Sequence, residues 1–240
     1  SDAGALLGLT DKLDSLVGLI AAGLLPKSTA DPYGLRRAAL GIIQVLIDRQ
    51  MDVNLAEAVD KLAAVQPIEV TTEAREQVLT FISGRLEAWF TENSDYPRDV
   101  INAVLAEQAT NPYRAYTGIQ ELSQWVQRED WEAILDGFAR CVRITRGEQE
   151  RYSVDPSLFE HDEERRLYEA YQEACSKLDG GNVDAFLSAF EPMLPAVTAY
   201  FDTVLVNAKD EKLRRNRLGL LQAIGAMQEG RADMSLLVGF

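Results

Sequence analysis

Apolar residues recur every three or four positions along most of the chain, the spacing that gives a helix one buried face. No stretch alternates apolar and polar residues convincingly enough to predict a strand. Asp31-Pro32 reads as a side-chain cap followed by proline at the first helical position, and Leu35, Ala38, Ala39, Ile42 and Leu46 then form one apolar face. Gly34 and Gly41 each weaken this helix by roughly 1 kcal/mol relative to alanine, which fits a second helix crossing closely. Helices are predicted over residues 54–65, 72–92 and 97–108. Asn111-Pro112 opens another through Tyr116, Ile119, Leu122 and Val126, and residues 129–145 turn Trp131, Leu135, Phe138 and Val142 inward before Gly147 stops them.

Residues 147–156 have no apolar period and end on Asp155-Pro156, so they read as a connecting loop before a charged helix over 157–178. Gly180-Gly181-Asn182 then breaks the chain. Inside a helix Pro192 and Pro195 would cost about 3 kcal/mol, so the pattern predicts a restart near Glu191 with Pro192 as first helical residue. That helix would turn Leu194, Val197, Phe201 and Leu205 to the core and end near Asn207. Asp210 caps a last long helix with Leu213, Leu221, Ile224 and Met227 inward. The whole predicts an all-α fold of two packed helical units, divided where breakers concentrate between residues 95 and 112, into 1–105 and 106–240.

Composition adds mainly a charge argument. A net charge of −14 opposes nonspecific coating of nucleic acid, so any polyanion must meet a local patch. Two patches qualify: Arg140, Arg143, Arg146 and Arg151, then Lys209, Lys212, Arg214, Arg215 and Arg217. The same residues also fit solvated helix faces balanced by neighbouring acids. Cys141 and Cys175 lack metal or redox spacing and read as reduced thiols, although their number allows one disulfide. The longest uncharged apolar run, residues 16–25, is about half a bilayer span, and Asp11 and Asp14 sit where a signal peptide needs basic residues. A cytoplasmic location is expected.

Reactive chemistry is not indicated. His161 is the sole histidine and stands among Glu160, Asp162, Glu163 and Glu164, the surroundings of a solvated helix start. The chain has no glycine-rich phosphate loop, Cys-x-x-Cys pair or nucleophile elbow. No catalytic residue, cofactor site or metal site is expected in this segment.

Three stretches are more specific. Residues 11–18, Asp-Lys-Leu-Asp-Ser-Leu-Val-Gly, lead through Gly23 and Pro26 to Asp31-Pro32-Tyr33-Gly34-Leu35-Arg36-Arg37-Ala38-Ala39-Leu40-Gly41. The second runs Phe201-Asp202-Thr203-Val204-Leu205-Val206-Asn207, then Asp210, Leu213-Arg214, Asn216-Arg217-Leu218 and Leu221. The third is Ala232-Asp233-Met234-Ser235-Leu236-Leu237. Together they resemble the C-terminal region of bacterial glycyl-tRNA synthetase beta subunits, with Thr10, Ser15 and Tyr33 departing from the family pattern. Asp210-Glu211-Lys212-Leu213-Arg214 is also similar in outline to the D-A-L-R motif of the anticodon-binding domain of arginyl-tRNA synthetases.

The resemblance implies that residues 1–105 are the end of a degenerate His-Asp-type helical domain and 106–240 a DALR-like anticodon-binding helical bundle. It implies that the segment reaches the subunit's natural C-terminus with the upstream part absent, Ser1 being an addition. It implies a glycine-tRNA ligase of two alpha and two beta subunits, whose alpha subunit holds the adenylation site and uses ATP and Mg²⁺. Partners are then the alpha subunit and the tRNA for glycine. An anticodon loop is read by stacking and base-edge hydrogen bonds, with cations on its phosphates, and arginine suits both. On that ground the binding residues are Arg140, Arg143 and Arg146 on one helix and Arg214, Arg215 and Arg217 on the last long one. Arg217 borders a core face, so an ion pair with an acid such as Asp202 competes with RNA contact, and Arg36 and Arg37 read as structural. Trp125, Trp131 and Tyr113 fit either a stacked base or the core. The other reading of the whole is a non-catalytic scaffold that mediates subunit or domain packing without base readout.

Overall fold

The computed structural model describes residues 2–26, 30–178 and 180–240. Among the described residues every regular element is helical, as the periodicity predicts. By its internal contacts the chain divides into Ser1–Ile119 and Gln120–Phe240.

In the first unit α1 (Asp2–Ala21) packs on α2 (Leu35–Asp48), α3 (Leu55–Ala63) and α4 (Thr72–Asn93), and α5 (Arg98–Gln108) lies against α4. The core is built by regular spacing: Ala74, Val78, Ile82, Leu86 and Phe90 form one buried row on α4, opposed by Leu13, Leu16, Val17 and Ile20 of α1 and Ile42, Ile43 and Leu46 of α2. Gly41 marks the α1–α2 crossing, where an added Cβ would stand 3.1 Å from Lys12 Cε.

The start of α2 differs from expectation. Pro32 lies outside the helix, which begins at Leu35 after Gly34 takes a left-handed conformation (φ 68°). Asp31 still caps it, from further back, accepting from the Leu35 and Arg36 N–H groups at 2.8 and 3.0 Å. At Asn111 the sequence expectation holds: α6 (Pro112–Trp125) starts at the proline, and Asn111 Oδ1 accepts from Arg114 N–H at 3.2 Å.

The second unit contains α7 (Trp131–Thr145), α8 (Asp162–Lys177), α9 (Val183–Phe190), α10 (Leu194–Thr203) and α11 (Glu211–Gly225). Phe138 of α7 meets Phe186 and Phe190 of α9 edge-to-face, with centroids 5.3 and 5.2 Å apart, near Tyr200, Leu221 and Ile224 in the core. Pro192 lies in a 3-10 turn, Glu191–Met193, after α9, and Pro195 is the second residue of α10, which starts at Leu194 rather than at Pro192. The predicted helix to Asn207 stops at Thr203, and Leu205 faces solvent (68% exposed) rather than the core. The charged helix starts at Asp162 rather than 157, because Pro156–Leu158 forms a separate 3-10 turn. Asp210 caps α11 as expected, accepting from Lys212 and Leu213 N–H.

Residues 147–156 are not a slack connector. Two side chains six residues apart on α11 hold their backbone: Gln222 accepts from Tyr152 N–H at 2.9 Å and donates to Glu150 O at 2.8 Å, and Asn216 accepts from Asp155 N–H and donates to Asp155 O. Gly219 lies between them, and a Cβ there would stand 2.9 Å from the Tyr152 carbonyl oxygen.

Candidate nucleic-acid interface

The six arginines singled out by sequence fall into three environments, all within the second unit. Arg140 and Arg143 are three apart on α7 and therefore share a side of the helix. The Arg140 guanidinium carbon is 4.5 Å from the centre of the Phe201 ring, and that of Arg143 is 5.4 Å from the Phe240 ring. Arg143 also donates to Gly239 O at 3.5 Å and stands 3.7 Å from Asp136. Arg146 is exposed just past the end of α7.

Arg214 and Arg215 sit in a charge-matched cluster. Arg214 pairs with Glu148 and lies 3.6 Å from Glu211. Arg215 donates to Glu211 at 2.8 Å and lies over the Tyr152 ring, 5.5 Å from its centre. Tyr152 in turn donates its hydroxyl to Glu148 at 2.8 Å. That bond to a carboxylate is the main reason its phenol is held above the usual range. Arg151 adds a pair with Glu229. Arg151, Arg214 and Arg215 thus meet three glutamates, Glu148, Glu211 and Glu229, in direct contact.

Arg217 is withdrawn from solvent altogether. It is 4% exposed, donates through Nε to Glu164 at 3.0 Å and through Nη2 to Glu160 at 3.0 Å, and reaches Leu205 O at 3.1 Å. The ion pair anticipated for it exists, with Glu164 and Glu160 rather than Asp202. Glu164, 1% exposed, also accepts from the Glu160 and His161 N–H groups at 2.9 Å. Burial alone would raise its carboxyl, but Arg217 and the two N–H donors outweigh burial and hold it below the ordinary range. The one histidine therefore contributes its backbone, at the start of α8. Arg217 cannot reach a ligand without opening the core.

Other aromatic candidates divide similarly. Trp125 is 5% exposed, donates to Asp184 at 2.9 Å and carries Arg128 over its ring, so it is a packed residue. Trp131 stays half-buried. Sequence reading assigned Phe201 to the core and did not single out Phe240, because neither shares a helical period with the arginine that lies over its ring. Among the described residues no three His, Cys, Asp or Glu side chains converge to hold a metal ion, and no helix is long and apolar enough to cross a membrane. Asp14 is engaged by Gln66, whose amide donates to it at 2.5 Å.

Comparison with known proteins extends along the entire chain. Residues 1–106 match the family model described as glycyl-tRNA synthetase beta subunit. A glycine–tRNA ligase, chloroplastic/mitochondrial 2, of Arabidopsis thaliana is 35% identical over 243 residues, covering 100% of this chain and 23% of its own length. The glycine–tRNA ligase beta subunit of Sulfurihydrogenibium sp. is 33% identical, covering 98% of this chain and 33% of that protein. The beta subunit of Anaeromyxobacter dehalogenans is 37% identical, covering 97% and 34%. The chain thus spans about a quarter to a third of the length of these relatives.

Proposed function

We propose that this chain is the tRNA-contacting segment of a glycine–tRNA ligase beta subunit, in a cytoplasmic enzyme that charges tRNA with glycine. The observation that carries the reading is the reach of the similarity. The family model stops at residue 106, yet the beta-subunit relatives align over 97% or more of the chain, so the second unit shares their ancestry as well. In this reading residues 1–105 close a degenerate His-Asp-type domain, and 106–240 form the anticodon-binding bundle. The partners are the alpha subunit, in a two-alpha, two-beta assembly, and the tRNA for glycine. ATP and Mg²⁺ are used through the alpha subunit, and no step is assigned to residues of this chain.

Two features support RNA contact by the second unit. Arg140 and Arg143 are partly exposed and backed by aromatic rings, and Arg146, Lys209 and Lys212 are exposed cations without a carboxylate partner among the described residues. Planar guanidinium groups stack on unpaired bases, and the remaining cations suit phosphates. The test is filter binding of a glycine-tRNA anticodon stem-loop at low salt against the same loop with altered anticodon bases. Preferential binding of the natural loop is expected, and equal, weak binding of both would remove base readout from this segment.

A second reading, a helical scaffold, is favoured by the neutralised arginines of α11. Charge reversal in the assembled enzyme separates the two. Anticodon contact predicts that Arg140→Glu weakens tRNA binding with a shallower salt dependence, whereas scaffolding predicts unchanged affinity.

A further inference from the structure

α7 is flanked on both sides within its own unit. Gly137 abuts Leu194 of α10, where a Cβ would stand 2.5 Å from Leu194 Cδ2, and Gly239 lies beside Leu135, at 3.7 Å by the same measure. Between these flanks Arg140 leans on Phe201 of α10, and Arg143 leans on Phe240 of the terminal segment. A guanidinium laid over a ring uses one face and leaves the other for a further planar group. Leu205 (68% exposed) and Val238 (83% exposed) lie close in sequence to these rings.

Electrostatics select the kind of partner. Arg140 has no carboxylate within 4 Å among the described residues, and Arg143 keeps only a long contact to Asp136, whereas Arg214 and Arg215 are matched by glutamates. Asp136, 3.7 Å from Arg143, and Asp202, next to Phe201 in sequence, are exposed carboxylates that disfavour phosphate, so the strip suits flat, uncharged base surfaces better than backbone anions.

We propose that unpaired bases of a tRNA stack on Arg140 and Arg143, with Phe201 and Phe240 as the rings behind them, and that the α11 arginines take no part. This rests on the tRNA-binding reading above and assigns its location and mode. Lysine at position 140 or 143 keeps the charge but lacks the plane, so Arg140→Lys, Arg143→Lys and Phe240→Leu isolate stacking from charge.

The probes are a glycine-tRNA transcript and the same transcript carrying 2-aminopurine in its anticodon loop. Each variant is expected to bind about 5- to 100-fold more weakly with an unchanged salt slope, and to quench the 2-aminopurine less than the unaltered chain does. Thermal melting confirms that the variants fold. Lysine variants that bind within about twofold of the unaltered chain, or a loss seen only with Arg214→Ala and Arg215→Ala, would overturn the proposal and leave tRNA binding standing. Failure of the unaltered chain to bind the transcript at low salt would remove both. Self-association abolished by Val238→Asp, without RNA binding, would assign the strip to a protein contact and overturn it as well.

Discussion

Arg217 shows how one side chain changes meaning between sequence and structure. It sits in an arginine-rich run and reads as an anion-binding group, yet its guanidinium donates four hydrogen bonds, to Glu164, Glu160 and Leu205 O, inside the second unit. Removing one partner of a buried pair leaves the other charge unpaired, which costs more than replacing both. Arg217→Met is therefore expected to lower stability by about 3–5 kcal/mol in urea unfolding, and Arg217→Met with Glu164→Leu to recover much of it. Acid should reveal the same pair. Because the Glu164 carboxyl titrates below its ordinary 4.5 when folded, the unfolded chain takes up the proton first. The contribution is complete at neutrality, declines as pH falls below about 4.5, and is gone once the folded carboxyl is protonated. In Glu164→Gln that acid-dependent component should be missing from the stability curve. Cys141 gives a simpler check: it is fully buried, and burial pushes its thiol up to about 12. A thiol reagent should modify only Cys175 in the folded chain and both cysteines after unfolding.

At the scale of the element, α11 is a face of contacts with the segment preceding α8. Gly219 lets the Tyr152 backbone approach it, and backbone cannot yield as the tip of a flexible side chain does. Gly219→Ala should destabilise by about 1–3 kcal/mol in urea unfolding, even though alanine is the better helix former. Helix starts were legible where the cap is adjacent, as at Asn111 and Asp210, because a polar side chain next to an apolar run has one local interpretation. At Asp31 the cap reaches over an intervening turn, and the start was misplaced by three residues, Leu35 instead of Pro32. The end of α10 was hidden for a related reason: Leu205 keeps the helical period but belongs to the extended stretch after Thr203, whose carbonyl Arg217 binds. Of the candidate binding residues, α7's arginines were visible from their spacing. The neutralisation of α11's was not, since Glu148 lies 66 positions before Arg214.

For the molecule as a whole, 38 acidic residues against 24 basic ones mean that a polyanion approaches against an unfavourable average field. The proposed tRNA binding would therefore depend on a few unneutralised cations, and its sensitivity to ionic strength should scale with their number. Arg146 is one of them. If it meets a phosphate, Arg146→Ala should reduce the slope of log K against log salt by about 0.7–0.9 while leaving discrimination between anticodons unchanged. An equal loss of discrimination would place Arg146 on a base instead.

The clasp formed by Asn216 and Gln222 bears on how the chain meets a protease. A nine-residue stretch without regular structure, 147–155, carrying exposed Arg151, looks like an open invitation to trypsin, but digestion requires main chain that can be drawn into the enzyme's cleft. Here the peptide groups on either side of Arg151 are already held by Gln222, which accepts from Tyr152 N–H and donates to Glu150 O. Trypsin should spare that bond in the intact chain and cut it readily in Gln222→Ala, making cleavage after Arg151 a gauge of whether α11 grips its neighbour.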